Sequence, residues 1–153
     1  MVYGTINKIR FWYNGEGIMI KSENIKTFVK QTLGCGCPEE VFNHIGYQTN
    51  IKLDDNILIS NKINIGNRLL IYIVEISNPD SVKHVLSSLL DIGKKERDSS
   101  GFNRFRLVLA TDKLDEIKEV ADIVFKTIDK DERIHLHVIS KKNIPIFSNE
   151  SLC

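Results

Sequence analysis

Residues 69–76, Leu-Leu-Ile-Tyr-Ile-Val-Glu-Ile, form the longest nearly unbroken apolar stretch of this 153-residue chain. A strand with one face in water alternates apolar and polar residues, whereas a strand covered on both faces is apolar almost throughout. The stretch therefore predicts a buried strand in the middle of a sheet. Gly66-Asn67, just ahead of it, predicts the turn that leads into this strand.

The sequence after this strand alternates between helical and extended patterns. The predicted elements are, in order, a helix from Pro79 to Gly93 with Asn78 as its cap, a polar loop over 94–100, a strand over 105–109, a helix capped by Thr111 or Asp112, and a strand over 134–139. Strands that alternate with helices pair in parallel, with right-handed crossovers. The pattern predicts a β-α-β-α-β parallel core.

The sequence before the central strand is also rich in strand signals. Residues 47–53 alternate loosely, and Asp54-Asp55-Asn56 reads as a turn. Isoleucines at positions 57, 59, 63 and 65 alternate with polar residues, which predicts a half-exposed strand. Together with the parallel core, these strands predict an α/β fold with a mixed sheet.

The region ahead of these strands predicts a helical hairpin. Ser22 is a good N-cap, and apolar residues from Ile25 to Leu33 recur on one helical face that Gly34 is suited to end. Pro38 fits the first position of a second, short helix, which Gly46 closes. The segment 34–37 is then the elbow between two helices.

The two ends of the chain fit this domain less well. Residues 1–18 contain Asn14-Gly15, which favours a tight hairpin turn, and Met19 stands just ahead of the first helix. We therefore expect an N-terminal extension over 1–18, either a hairpin or a segment ahead of a natural start at Met19. A single α/β domain is expected over 19–140 and an irregular tail over 141–153, which contains Pro145.

The elbow carries Cys35 and Cys37, two of the three cysteines in the chain, separated by one glycine. Cys37 is predicted to lie at the N-cap of the second helix, where the helix dipole stabilises a thiolate, although Glu39 and Glu40 oppose this by repulsion. In a dithiol reaction Cys37 is the expected nucleophile and Cys35 the resolving thiol. A disulfide closed over so short a ring is expected to be strained and oxidising.

The same two thiols are also candidate ligands for a thiophilic metal, either zinc or an iron–sulfur cluster. His135 and His137, two apart on the last predicted strand, point to one face and complete a Cys₂His₂ set. Cys153, in the tail, is a further candidate ligand. Each of these residues also has a simpler interpretation: the cysteines pack a tight corner, the histidines mark an exposed strand face and Cys153 is an inert terminus.

Two alternatives to a cysteine site stay open. One is a non-catalytic binding or adaptor module, in which the cysteines are structural. The other is an enzyme or binder for small molecules at the carboxyl ends of the parallel strands, where Ser77, Asn78, Thr111 and Asp112 lie. The second alternative lacks a glycine-rich phosphate loop, and all four residues are equally suited to cap helices.

The composition of the chain limits the classes of partner and the cellular compartment that we expect for it. The chain carries 21 basic and 20 acidic residues, for a net charge of +1, so no global field attracts nucleic acid or an anionic membrane. Three cysteines do not suggest a disulfide framework, which together with the lack of a secretory signal predicts a cytoplasmic protein. The sequence does not specify substrate, protein partner or oligomeric state, nor does it decide between an enzyme and a binding module.

Overall fold

The computed structural model describes residues 23–53 and 57–145. The predicted extension over 1–18, the turn at 54–56 and Cys153 lie outside these residues. The described residues form a five-stranded sheet in the order β1-β2-β3-β4-β5, with β1 as Ile45–Lys52, β2 as Leu58–Ile65, β3 as Leu69–Glu75, β4 as Arg104–Thr111 and β5 as Ile134–Ser140.

The sheet is mixed, as predicted. Strands β1, β2 and β3 pair antiparallel, whereas β4 pairs in parallel with β3 on one side and β5 on the other. Helix α1 (Val82–Ser100) follows β3, and helix α2 (Leu114–Thr127) follows β4. Both helices lie on one face of the sheet, and residues 23–43 lie on the other.

The central strand β3 is buried on both faces, which confirms the interpretation of its apolar run. Its residues from Leu69 to Val74 are at most 4% exposed. Leu70, Tyr72 and Val74 belong to the core under α1 and α2, whereas the residues between them belong to the core under residues 23–43. One strand thus contributes to two separate cores.

Strand β2 is half-exposed, as predicted, with buried isoleucines and partly or fully exposed residues between them, but its isoleucines do not share one face of the sheet. Ile59 is 1% exposed and Ile63 is fully buried, but they lie in different cores. The register shifts between Ile59 and Asn61, so Ser60 is an extra residue whose hydroxyl donates to the Ile73 carbonyl at 2.8 Å. Because a bulge reverses which face later residues occupy, one alternating pattern supplies both faces of the sheet.

Helix α1 does not end at Gly93, as the sequence suggested, but continues through the predicted polar loop to Ser100. Its C-cap is Gly101, with a left-handed φ of 78°. Gly93 lies against β4: a Cβ atom there would be 2.2 Å from the Phe105 ring. This glycine is needed for close approach between the helix and the sheet, which explains why it does not mark a helix end.

The predicted helical hairpin is not confirmed. Residues 23–27 are α-helical and continue into a π-helical turn, Phe28–Thr32, but the second arm is only a 3₁₀ segment, Glu39–Asn43. Its N-cap is Pro38 rather than Cys37. The chain enters β1 at Ile45, two residues after this segment, so Gly46, predicted to close the second helix, belongs to the strand instead.

An ion pair between a buried arginine and a partly exposed aspartate fixes the last part of α1 to the loop before β5. The Arg97 side chain is 1% exposed, and its two terminal nitrogens donate to the two carboxylate oxygens of Asp131 at 2.8 and 2.6 Å. Arg97 Nε also donates to Asp98 at 3.0 Å. The hydrogen bonds from Arg97 are the main reason that the pKa of Asp131 falls from 3.8 to about 2.

Asp131→Asn should destabilise the fold, since the buried guanidinium loses its charged, two-pronged acceptor. We expect a loss of about 1.5–3 kcal/mol in the free energy of unfolding at pH 7, measured by urea denaturation. Because the folded-state pKa lies below the unfolded one, the contribution of Asp131 is present above about pH 4 and disappears as the pH falls towards 2. Asp129→Asn, at an exposed position in the same loop, is the control. Equal effects of the two substitutions would contradict this role.

Candidate functional site

The backbone of the elbow is shaped by the end of the leading helix. Leu33 N donates to the Phe28 carbonyl at 3.0 Å, which closes the π turn. Gly34 then adopts a left-handed φ of 70°, a conformation that suits glycine. Cys35 N donates to the Val29 carbonyl at 3.1 Å, so the first cysteine is tied directly to the helix.

Cys35 and Cys37 are joined by a disulfide across Gly36, with their Cα atoms 5.3 Å apart. This Cα separation is normal for a disulfide. Both residues are half-buried, and both pack against the core formed by residues 23–43 and the sheet. The elbow therefore brings two sulfurs together at a position that is partly accessible to solvent and that packs partly against the core.

The charge of one of the two glutamates next to Cys37 is compensated. Glu39 forms ion pairs with Lys26 and Lys30 of the leading helix. Its opposition to a thiolate is therefore weaker than the sequence suggested. The support expected from a helix dipole is also missing, because the 3₁₀ segment is only five residues long and begins after Pro38.

Arg106 connects the elbow to strand β5. Its NH1 atom donates to the Leu33 carbonyl at 2.9 Å and lies 2.9 Å from Nε2 of His137. A guanidinium is always a donor, so His137 Nε2 must be the acceptor and its proton must lie on Nδ1. Burial, followed by the charge of Arg106, lowers the pKa of His137 to about 4.

Arg106 belongs to a group of basic side chains on one face of β4 and β5, which we call the basic face: Arg104, Arg106, His135 and His137. Arg106 pairs in register with His135, and His137 lies two residues further along β5. Burial and the two arginines lower the pKa of His135, and burial and Arg104 lower the pKa of Arg106. Within residues 23–53 and 57–145, none of the four has a carboxylate partner.

The four predicted metal ligands within the described residues are not assembled into a metal centre there. No group of three or more histidine, cysteine, aspartate or glutamate side chains is arranged to hold an ion in that part of the chain. Cys35 and Cys37 are bonded to each other, and His137 Nε2 is engaged by Arg106. Cys153, the remaining candidate, lies outside the described residues.

The carboxyl end of β3 borders a second feature, a cavity of about 530 Å³. Ile57, Val74, Ile76 and Val85 form apolar walls, and Ser77, Asn78 and His84 are among its polar lining residues. Asn78 also caps the turn before α1, by accepting from Asp80 N at 3.0 Å. Thr111 and Asp112 do not line the cavity; Thr111 is buried and accepts from Lys113 N at 3.0 Å.

Comparisons with known proteins place the chain in no family: no protein-family model matches it, and neither does any curated protein. Within the described residues, none of the helices is both long enough and apolar enough to cross a membrane. The class that the structure defines is an α/β protein with a mixed sheet and a cysteine pair at the elbow ahead of it. Sequence reasoning located the cysteines and both histidines but did not link Arg106 to them, although alternation along the strands places it on the same face.

Arg106→Gln should raise the pKa of His137. The imidazole of the native protein is expected to stay neutral down to about pH 4, with its proton on Nδ1. Loss of the Arg106 charge removes part of the downward shift in the pKa of His137, while burial, the larger cause, remains. Titration followed by ¹⁵N NMR of the imidazole nitrogens measures both the pKa and the tautomer. A native pKa near 6.5, or protonation on Nε2, would contradict the geometry.

Proposed function

We propose that the elbow is a dithiol–disulfide exchange site, in which Cys37 is the nucleophile and Cys35 the resolving thiol. The observation that carries the proposal is the disulfide between these residues at a half-exposed position. A purely structural pair that packs a corner needs neither a bond between the sulfurs nor access from solvent. The pairing of Glu39 with two lysines also reduces the repulsion that a thiolate at Cys37 would meet.

The reaction runs between the protein pair and an external thiol or disulfide. When the protein pair is oxidised, the Cys37 thiolate attacks one sulfur of the external disulfide. A mixed disulfide forms between Cys37 and that sulfur, and the other half of the external disulfide leaves as the first thiolate. Cys35 then attacks Cys37 Sγ and releases the second thiolate. The external disulfide gains two electrons and becomes two thiols, while the protein pair becomes a disulfide. The Arg106 guanidinium, fixed on the Leu33 carbonyl, supplies positive charge near the elbow.

Redox titration against glutathione buffers, with thiols trapped and counted by mass spectrometry, tests this function. We expect Cys35 and Cys37 to oxidise together with a single reversible midpoint. Cys35→Ser should accumulate a mixed disulfide on Cys37, because the resolving thiol is gone. Cys37→Ser should accumulate less, because the remaining thiol is not the proposed nucleophile.

Other outcomes assign other roles to the elbow. If the native thiols resist labelling and no reversible midpoint exists, the exchange function is wrong and a structural role, as in an adaptor module, is favoured. Stoichiometric zinc or iron in anaerobically purified protein, lost in Cys35→Ser and Cys37→Ser, would instead establish the metal-binding version. Retention of full metal content in both variants would exclude these cysteines as ligands.

The cavity beside β3 supports a second candidate function, the binding of a small molecule at the carboxyl end of a parallel strand. Its volume of about 530 Å³ lies in the range of ligand sites. Its lining contains no lysine or arginine but includes the carboxylate of Glu75, together with serine, asparagine and histidine side chains. We infer that an uncharged, hydroxyl-bearing compound suits it better than a phosphate or a carboxylate.

Adenosine and glucose are suitable probes for this cavity. On addition of the compound that binds, the amide signals of Ser77 and His84 should shift in an NMR titration, and adenosine monophosphate should bind more weakly than adenosine. Val85→Trp should fill the apolar wall and abolish the shifts. Lys95→Gln, exposed at a distance along α1, should leave them unchanged. Shifts that survive Val85→Trp, or tighter binding of the phosphate, would contradict this site.

A further inference from the structure

The basic face beside the elbow has the features of an anion-binding site. Arg104, Arg106, His135 and His137 lie on one face of two adjacent strands, and no carboxylate pairs with them within the described residues. Arg106 is half-buried, and its Nε atom is buried without a hydrogen-bond partner. A buried donor without a partner is costly, so a retained one calls for a functional explanation.

The charges on this face also act on one another. Burial and then Arg104 lower the pKa of Arg106, while burial and then Arg106 lower the pKa of both histidines, so the positive charge of the face at pH 7 belongs to the two arginines. Mutual repulsion of this kind is relieved when a negative group binds between the side chains. The balanced net charge of the whole chain, +1, makes this local excess a property of the site rather than of the molecule.

The basic face is physically joined to the cysteine elbow. Arg106 NH1 donates to the carbonyl of Leu33, which lies only two residues before Cys35. Two residues span at most about 7 Å of chain, so Cys35 lies near the guanidinium of Arg106. An anionic group on the basic face is therefore close enough for the remainder of the same molecule to reach the sulfurs.

The dimensions of the face limit the size of the anion. Neighbouring strands lie about 4.8 Å apart, and alternate residues along a strand about 6.7 Å apart. A patch of two residues by two residues accommodates one or two carboxylates, as found in a cysteine derivative or a short peptide. It is too small to follow the regularly spaced phosphates of a nucleic acid.

We infer that the exchange partner of Cys35 and Cys37 is a low-molecular-weight disulfide or thiol that carries carboxylates, which the basic face holds while its sulfur meets the elbow. This inference rests on the proposed exchange function and names its substrate class. Binding places the substrate's sulfur–sulfur bond at Cys37. Two electrons and two protons then pass from the reduced cysteine pair to the bound disulfide, which leaves as two thiols.

The experiment compares two disulfides as oxidants of the reduced full-length protein. Glutathione disulfide is the anionic probe, and 2-hydroxyethyl disulfide is the neutral one. Stopped-flow mixing followed by acid quench and thiol counting gives the rate with each. The native protein should prefer glutathione disulfide, and sodium chloride should reduce that preference by screening the charges.

Substitutions then separate recognition from chemistry. Arg104→Gln, at an exposed position, should slow oxidation by glutathione disulfide several-fold and leave the rate with 2-hydroxyethyl disulfide within a factor of about two. Arg104→Gln/Arg106→Gln should slow both reactions, because Arg106 also lies beside the elbow, but should slow the one with glutathione disulfide about tenfold more. Arg106→Lys should retain part of the preference, because it keeps the charge but not the two-pronged geometry. The single substitution Arg104→Gln tests how the positive charge affects the oxidation rate without disturbing the half-buried Arg106. Lys83→Gln, exposed on α1, should change neither rate.

The possible failures point to different conclusions. Absence of oxidation by either disulfide overturns the exchange function itself. Oxidation by both at equal rates, insensitive to salt and to the arginine substitutions, overturns the anionic substrate class and leaves the exchange function standing. Equal slowing with both probes in Arg104→Gln would also overturn the anionic substrate class, since the arginine would then act on the cysteines rather than on the substrate's charge.

Discussion

The burial of β3 on both faces is the constraint on which the rest of the structure depends. A strand whose six successive side chains are all removed from water must be covered above and below. Helices α1 and α2 cover one face, and residues 23–43 cover the other. Residues 23–43, which cover the second face, turn back towards β1 within a few residues. The elbow is this turn, and Cys35 and Cys37 lie in it.

The parts predicted from the sequence are those decided by local pattern. The apolar run at 69–76 shows its buried character without reference to any other segment, and the strands and helices that follow it carry equally clear periodicities. The position of Cys35 and Cys37 at a corner follows from Gly34 and Pro38. Each of these inferences needs only neighbours in the chain.

The parts that were missed depend on distant contacts. Gly93 resembles a helix end, and only the ring of Phe105 beneath it reveals that it permits close packing. Ser60 looks like any polar residue of an alternating strand, and only the register shift against β3 shows that it is an extra, bulged residue. In the candidate site, Arg106 reaches the elbow across 73 positions of sequence, so no local pattern could assign it to the cysteines.

The bulge at Ser60 has a thermodynamic consequence for β2. Ile59 and Ile63 are four positions apart on one strand, yet they belong to different cores, separated by the thickness of the sheet. Changes at sites without shared neighbours contribute to stability independently, whereas changes within one core are coupled. A single strand therefore contains two energetically separate halves, and the side under the helices can vary in sequence without disturbing the side that supports the cysteine pair.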